Sequence, residues 1–253
     1  MIVAHKQNIQ IRFGKHAESY KEHATVQKNI CRHFVNLLSQ VSFKPMQVLE
    51  IGCGVGFLTE LFLSNYTVQS YTANDIVASM ETEIQRIAKK TQKYIQFLAG
   101  DAENLPINQK FNCILSTSTL QWFYNIPLFF KKIQHNLLPQ GMFAFSTFGT
   151  ENFQEITALT GHSLHYHSAE ELCALLADDF HIIHYESYCE ILYFNTPTDV
   201  LRHIKHTGVN NFAASHWTKT RLHNFNITYC ERFSTPQGVT LTYNPIIIIA
   251  QKK

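Results

Sequence analysis

Residues 46–57, MQVLEIGCGVGF, constrain the fold of this chain more than any other stretch. An apolar run ends in glycines at alternate positions, Gly52, Gly54 and Gly56, before a segment that can be helical. That order predicts a buried strand, a tight turn and a helix start. Glycine permits positive φ and a close approach of ligand to backbone, and the helix start offers unpaired N–H groups. A nucleotide-like ligand is therefore expected at the carboxyl end of the first strand.

Short apolar runs then alternate with helical patterns as far as residue 147. Strands are predicted at 68–73, 95–99, 111–116 and 142–147. An amphipathic helix is predicted from residue 21 onward, ahead of the first strand. The alternation indicates an α/β doubly wound fold, with a mostly parallel sheet covered by helices on both faces.

The chain after residue 149 is less regular. A helix at 170–176 has Ser168 as its expected cap, and one strand is expected within 181–194. Helices are predicted at 198–208 and 218–235, before a last strand at 239–250. These elements predict one domain over residues 1–253, in four parts: an N-terminal lid and helix (1–44), a ligand-binding core (45–150), an insertion over the sheet edge (195–237) and the last strand (239–250).

The amino-acid composition disfavours several classes of protein. The 253 residues are 45% apolar and 16% charged, enough to bury a large core, and a net charge of +2 is too small to indicate nucleic acid binding. The six cysteines are scattered without a CxxC pair, which predicts reduced thiols and an intracellular, cytoplasmic protein. No apolar run suits a signal peptide or membrane span, so we expect a protein that binds no membrane. We also expect a monomer.

Four predicted loops carry the candidate ligand groups in chain order. Besides the glycine loop they hold Asp75, Asp101 and Ser116, each at the end of a predicted strand. Asp75 can accept hydrogen bonds from two ribose hydroxyls, and Asp101 can accept one from a purine amine. Ala102 can donate its backbone N–H to the ring, while Ile76 and Leu105 can enclose the base. Glu50, where the apolar run meets the glycines, joins the predicted cofactor-binding residues.

These motifs resemble the class I methyltransferases, which bind S-adenosylmethionine. The resemblance covers about residues 45–150 and rests on these segments: LEIGCGVGF, the ND of 74–75, GDAENLP at 100–106 and LLPQGMFAFST at 137–147. It implies a seven-stranded sheet whose last strand is antiparallel. Nicotinamide-binding loops read GxGxxG, whereas this loop reads GxGxG, which disfavours an oxidoreductase.

A narrower resemblance extends over nearly the whole chain. It is carried by IRFGKHAESYKEHATVQKNI at 11–30, LQWF at 120–123, FSTFGTENFQEI at 145–156, LRHIKHTGVNN at 201–211 and LTYNPIIIIA at 241–250. These segments are similar to the malonyl-[acyl-carrier-protein] O-methyltransferases of biotin synthesis. The family implies methylation of the free carboxylate of a malonyl thioester, carried by acyl-carrier protein or coenzyme A, in the pimeloyl stage of that pathway.

The family resemblance also implies roles outside the cofactor loops. His16 and Tyr20 would lie in a lid over the cofactor, with Tyr20 excluding water from the reaction. Arg202 would hold the substrate carboxylate, although an arginine on a helix is more commonly a solvated charge. Pro245 departs from the family pattern, and because proline cannot donate to a strand ladder we expect it at an edge or bulge.

Other functions remain open from the residues alone. The chain could methylate another small carboxylate or a lipid-like acceptor, or could bind cofactor or carrier as a scaffold without catalysis. The 14 histidines invite a metal site, but none is expected. His162, His165 and His167 have no clear carboxylate or cysteine partner, and His181 and His184 would point to opposite faces of a strand.

Overall fold

The computed structural model describes residues 2–207 and 218–253, except for the side chains of residues 2–5, 8 and 16. The elements are α1 (Ile2–His23), α2 (Thr25–Ser39), β1 (Gln47–Ile51), α3 (Phe57–Asn65), β2 (Ser70–Asp75), α4 (Glu81–Thr91), β3 (Ile95–Ala99), β4 (Phe111–Thr117), α5 (Ile126–Asn136), β5 (Leu137–Phe148), α6 (Gln154–Thr160), α7 (Ala169–Leu176), β6 (Phe180–Ser187), β7 (Glu190–Phe194), α8 (Pro197–His206), α9 (Lys219–Phe233), β8 (Ser234–Thr235), β9 (Gly238–Tyr243) and β10 (Pro245–Lys252). Short 3₁₀ turns precede α4 and α5.

The large sheet has seven strands in the order β3-β2-β1-β4-β5-β10-β6. Strands β1 to β5 run parallel, whereas β10 is antiparallel to both β5 and β6. This confirms the predicted α/β fold with a mostly parallel, seven-stranded sheet and an antiparallel last strand. A second sheet has the order β7-β9-β8.

Helices bury both faces of the large sheet. Neighbouring residues of β1 point in opposite directions, so Val48 packs with Phe34 of α2 and Phe62 of α3, whereas Leu49 packs with Phe129 of α5. Because both faces are covered, the parallel strands read as continuous apolar runs rather than alternating ones. This sandwich holds the strand ends, and the loops that follow them, in fixed positions.

The predicted last strand at 239–250 is wrong as one element, because the structure divides it at Asn244. Strand β9 pairs in the small sheet and β10 in the large one. The buried Asn244 amide donates to Ser187 Oγ and Tyr188 O, each at 3.0 Å, and its Oδ1 accepts from Glu151 N at 3.2 Å. Pro245 therefore lies at the first residue of β10, not at an edge or bulge as predicted.

The predicted strand within 181–194 is likewise two strands, since β6 belongs to the large sheet and β7 to the small one. The N-terminal region also differs from expectation: α1 is a long helix, and α2 begins at Thr25 rather than at residue 21. Ala24, with φ −80° and ψ 52°, separates the two helices. The capping role predicted for Ser168 is confirmed, because its hydroxyl accepts from Glu171 N at 3.2 Å.

The predicted insertion at 195–237 contains α8, α9 and β8, with residues 208–217 outside the described part. Ile204 of α8 and Tyr229 of α9 pack with Tyr243 of β9 in a third apolar cluster. Helix α8 also contacts α1, where the rings of His23 and His206 lie 4.6 Å apart. The division of the chain into lid, core and insertion stays a prediction.

Candidate functional site

The carboxyl ends of four neighbouring strands lie side by side along one edge of the large sheet. Asp101 follows β3, Asp75 ends β2, Gly52 follows β1 and Ser118 follows β4. Since neighbouring strands lie ~4.8 Å apart, these loops span roughly 14 Å. A cavity along this edge encloses about 1010 Å³, part of it open to solvent. Its wall includes these predicted residues: Tyr20, Gly52, Gly54, Asp75, Ile76, Asp101 and Ala102. Leu105 is not in that wall.

The three glycines of the loop differ in what surrounds them, although each has positive φ. A Cβ on Gly52 would lie 2.2 Å from Thr119 Oγ1, and one on Gly56 would lie 2.2 Å from Ile87 Cδ1. At Gly54 no described atom lies within 4 Å of such a Cβ. Gly52 and Gly56 therefore allow close packing of the protein, whereas Gly54 leaves space at the cavity wall.

Asp75 ties the glycine loop to the end of β2. Its Oδ2 accepts from Gly54 N and its Oδ1 from Val77 N, both at 2.8 Å. Burial raises the pKa of Asp75, and the backbone N–H groups, led by that of Val77, oppose the increase. The carboxylate therefore fixes the loop, while each oxygen keeps a lone pair for a ligand donor.

Helix α1 closes over the other end of the cavity through Lys6. The Lys6 ammonium lies 2.6 Å from Asp101 Oδ1 and also pairs with Glu103. Asp101 further accepts from Asn104 Nδ2 at 2.6 Å. Because these side chains are largely buried, the pairing is shielded from solvent, and it occupies the carboxylate predicted to bind a purine amine.

Aromatic side chains of α1 form the roof of the cavity. Tyr20 stacks on Phe57 with ring centroids 5.9 Å apart, and Phe13 packs edge-on against Trp122 at 5.6 Å. Burial raises the pKa of Tyr20, so its phenol stays protonated at neutral pH. This roof can exclude water from a ligand bound beneath it.

Helix α2 supplies a wall of the cavity that was not predicted from the sequence. Gln27 and Cys31, one helical turn apart, both line the cavity. Cys31 Sγ lies 3.5 Å from Thr117 Oγ1, and burial raises the pKa of this thiol to about 12, so it is not a thiolate nucleophile at neutral pH. The available signal was a glutamine between Val26 and Ile30, on a helix predicted to be amphipathic.

The cavity wall does not include three predicted cofactor-binding residues, Glu50, Ser116 and Gly56. The Glu50 carboxylate is 1% exposed and accepts from Thr59 Oγ1 at 2.5 Å and Tyr71 Oη at 2.6 Å. Ser116 Oγ donates across the sheet to a main-chain oxygen of β1 at 3.0 Å. Both side chains lie within the layers of the fold, because the side chains of a strand point to the two faces of the sheet and not along the strand towards its end loop.

Arg202 also lies apart from the cavity wall. It projects from α8 with 59% of its side chain exposed, and its guanidinium pairs with Asp199 one turn earlier. The side chain of His16 falls outside the described residues, so its predicted contact stays a prediction.

Within the described part of the chain, no group of three or more His, Cys, Asp or Glu side chains is arranged to hold a metal ion. No helix there is long and apolar enough to cross a bilayer.

Comparisons with known proteins show the class of protein to which this fold belongs. A family model described as a methyltransferase domain matches residues 20–206. YcgJ of Bacillus subtilis is 18% identical with a TM-score of 0.62, over 88% of this chain and 99% of that one. The N-methyltransferase NodS of Bradyrhizobium japonicum, solved with S-adenosyl-L-homocysteine, is 14% identical with a TM-score of 0.50, over 88% and 86%. The architecture is that of a class I methyltransferase.

Closer relatives narrow the class. The malonyl-[acyl-carrier protein] O-methyltransferase of Bacteroides helcogenes is 37% identical over 98% of this chain and 99% of its own length. The enzyme of that name from Bacteroides thetaiotaomicron is 38% identical over 96% of both chains. The chain therefore belongs to the malonyl-[acyl-carrier protein] O-methyltransferase family.

The buried Glu50 generates a prediction about stability and pH. Burial raises its pKa from 4.5 to about 7, while hydrogen bonds from Thr59 and Tyr71 oppose the increase. Between those pH values the folded state holds a proton that the unfolded state has released. The stabilisation from protonated Glu50 is thus complete below pH 4.5 and is lost as the pH rises towards 7.

We therefore expect the free energy of unfolding of wild type, minus that of Glu50→Gln, to fall as pH rises from 4.5 to 7. The slope should be at most about 1.4 kcal/mol per pH unit. Urea denaturation at several pH values measures it, and taking the difference cancels the titration of other groups. A flat difference for Glu50→Gln would contradict the assignment of a raised pKa.

Proposed function

We propose that this chain transfers a methyl group from S-adenosylmethionine to the free carboxylate of malonyl-[acyl-carrier protein], in the pimeloyl stage of biotin synthesis. The observation that carries the proposal is a cavity along four strand ends in a chain of this family. Relatives that span nearly the same length carry this activity in their names. Coenzyme A is the alternative carrier of the malonyl group.

The cavity wall fits the proposed cofactor. Asp75 can accept ribose hydroxyls on lone pairs that its two backbone bonds leave free. The space beside Gly54 admits the amino-acid portion of the cofactor against the backbone. Asp101, Ala102 and Ile76 suit a purine, and this contact requires Lys6 to share the Asp101 carboxylate or to move away.

The proposed reaction requires the protein to position the carboxylate and the methyl group, and it requires no general base. When bound, S-adenosylmethionine supplies a methyl group activated by a positively charged sulfur. A malonyl carboxylate is already ionised at neutral pH, so no side chain must remove a proton from it. The aromatic roof with Tyr20 and Phe13 excludes water, and the cavity wall holds the carboxylate in place. Charge separation decreases during transfer, and a dry site favours such a reaction.

One assay tests the proposal and its alternatives. Purified protein with labelled S-adenosylmethionine should methylate malonyl-[acyl-carrier protein], with malonyl-coenzyme A and free malonate as comparison acceptors. Acetyl-[acyl-carrier protein], which has no carboxylate, should remain unlabelled. Cofactor binding without transfer to any malonyl acceptor would indicate a different acceptor or a scaffold. Absence of cofactor binding would contradict the methyltransferase assignment.

The glycine loop gives a second prediction. Gly54→Ala should lower S-adenosylhomocysteine affinity by at least about tenfold, because the new methyl group enters the space left for the ligand. Its cost to folding should stay near 1–2 kcal/mol, the penalty for alanine at positive φ. Calorimetry and thermal denaturation measure the two effects.

Gly52→Ala is the matched comparison, since its Cβ would clash with Thr119 inside the protein. It should lower the melting temperature more than Gly54→Ala does. Wild-type affinity in Gly54→Ala would exclude this loop from the cofactor site.

The role predicted for Arg202 is tested by Arg202→Ala. A direct bond to the substrate carboxylate requires kcat/KM for malonyl-[acyl-carrier protein] to fall about 100-fold, with S-adenosylhomocysteine affinity unchanged. An exposed helix charge paired with Asp199 would change kcat/KM less than about threefold. Asp199→Ala is the control, because it breaks the ion pair and leaves the guanidinium in place.

A further inference from the structure

Two polar atoms without partners lie in the cavity wall beside the end of β4. Neither Gln27 Oε1 nor Ser118 Oγ has a hydrogen-bond partner among the described residues, and both residues line the cavity. Gln27 is 3% exposed, so solvent does not compensate its amide. Buried polar groups are almost always paired in folded proteins. Two exceptions in one cavity therefore indicate that a polar ligand completes them.

Hydrogen bonds connect the Gln27 amide to two residues that are distant in sequence, Tyr243 and His203. His203 Nε2 of α8 lies 2.8 Å from Tyr243 Oη of β9. Burial raises the pKa of Tyr243, and hydrogen bonds from the side chains of Thr207 and Gln27 oppose the increase. The phenol thus connects the His203 ring to the Gln27 amide, and neither Tyr243 nor His203 is part of the cavity wall.

The protonation state of His203 determines which groups donate and which accept in these hydrogen bonds. Burial lowers the pKa of His203 to about 4, so its ring is neutral at pH 7. In the tautomer with the proton on Nε2, the ring donates to Tyr243 Oη, and the phenol O–H can donate to Gln27 Oε1 once the amide has turned about its last bond. The turn exchanges the two ends of the amide, so the NH₂ group replaces Oε1 as the end that faces the cavity without a partner. Its natural partner is a ligand oxygen, above all a negatively charged one.

The position of Gln27 separates it from the cofactor contacts. Cys31, the next residue on this side of α2, touches Thr117 at the end of β4. Asp101, which suits the purine, follows β3, and Asp75, which suits the ribose, ends β2; both strands lie on the other side of β1. A cofactor that extends from β3 to β1 would place its reacting end towards β4. Gln27 and Ser118 therefore lie where an acceptor would meet it.

We propose that Gln27 donates a hydrogen bond to the terminal carboxylate of the acyl acceptor, with Tyr243 and His203 holding its amide in the donating orientation. This inference rests on the proposed function and deepens it by naming a group that binds the carboxylate. A neutral amide suits the task, because a buried cation would hold the attacking oxygen more strongly in the ground state than in the transition state, where its charge has decreased. The second carboxylate oxygen, or a second lone pair, stays free for attack.

The test compares two acceptors that differ only in the carboxylate. Dissociation constants for malonyl- and acetyl-[acyl-carrier protein] are measured by calorimetry on the full chain saturated with S-adenosylhomocysteine. In the ratio of the two dissociation constants, the contribution of contacts with the carrier protein cancels. Wild type should prefer the malonyl form, and Gln27→Met, which keeps the length of the side chain, should reduce that preference at least tenfold. S-adenosylhomocysteine affinity should stay within about twofold.

Two variants complete the design. Tyr243→Phe removes the phenol that orients the amide and should reduce the malonyl preference at least threefold. It remains informative if Gln27→Met proves unstable. Gln40→Met, at the exposed end of α2, is the matched control and should keep the wild-type ratio.

A full malonyl preference in Gln27→Met or Tyr243→Phe would overturn the inference and leave the proposed function standing. A tenfold loss of S-adenosylhomocysteine affinity in Gln27→Met would overturn it too, because Gln27 Oε1 would then serve the cofactor's ammonium group. A wild-type protein that neither prefers nor methylates the malonyl form would instead refute the proposed function.

Discussion

The candidate site depends on the position of β1 in the middle of the parallel strands. From β1 the chain runs outward to β2 and β3, and it returns to β4 on the other side of β1. The connections after β1 and β4 therefore leave in opposite directions, which opens a crevice at the carboxyl ends of the strands. Helices α1 and α2 cover that crevice with Tyr20 and Gln27. The sheet order thus creates the cavity, and the N-terminal helices close it.

Two buried carboxyl groups on neighbouring strands have different roles because their hydrogen-bond donors differ. Glu50 of β1 accepts from the hydroxyls of Thr59 and Tyr71 in the core, where burial favours its protonated form. Burial also raises the pKa of Asp75 of β2, but this carboxyl group accepts from the backbone N–H groups of Gly54 and Val77, which oppose the increase. Glu50 therefore joins α3 and β2 to β1, whereas Asp75 shapes the glycine loop and keeps lone pairs for a ligand.

Strands β1 to β5 and the glycine loop were predictable because local patterns of apolar residues and glycine determine them. The division at Asn244 was not, since its amide bonds Ser187 and Tyr188, which are distant in sequence. Side-chain direction was the least predictable feature of the site. Ser116 was expected at the cavity but points across the sheet, and Gln27 was missed because its significance comes from Tyr243, at the far end of the chain.

A crystal structure of the chain with S-adenosylhomocysteine and a malonyl thioester would show directly which residues contact each ligand. We expect the purine beside Asp101 and Ile76, the homocysteine beside Gly54, and the malonyl carboxylate within about 3 Å of the Gln27 amide. Electron density for the cofactor at another sheet edge would contradict the proposed site. A carboxylate bound by Arg202, away from Gln27, would contradict the assignment of the acceptor end.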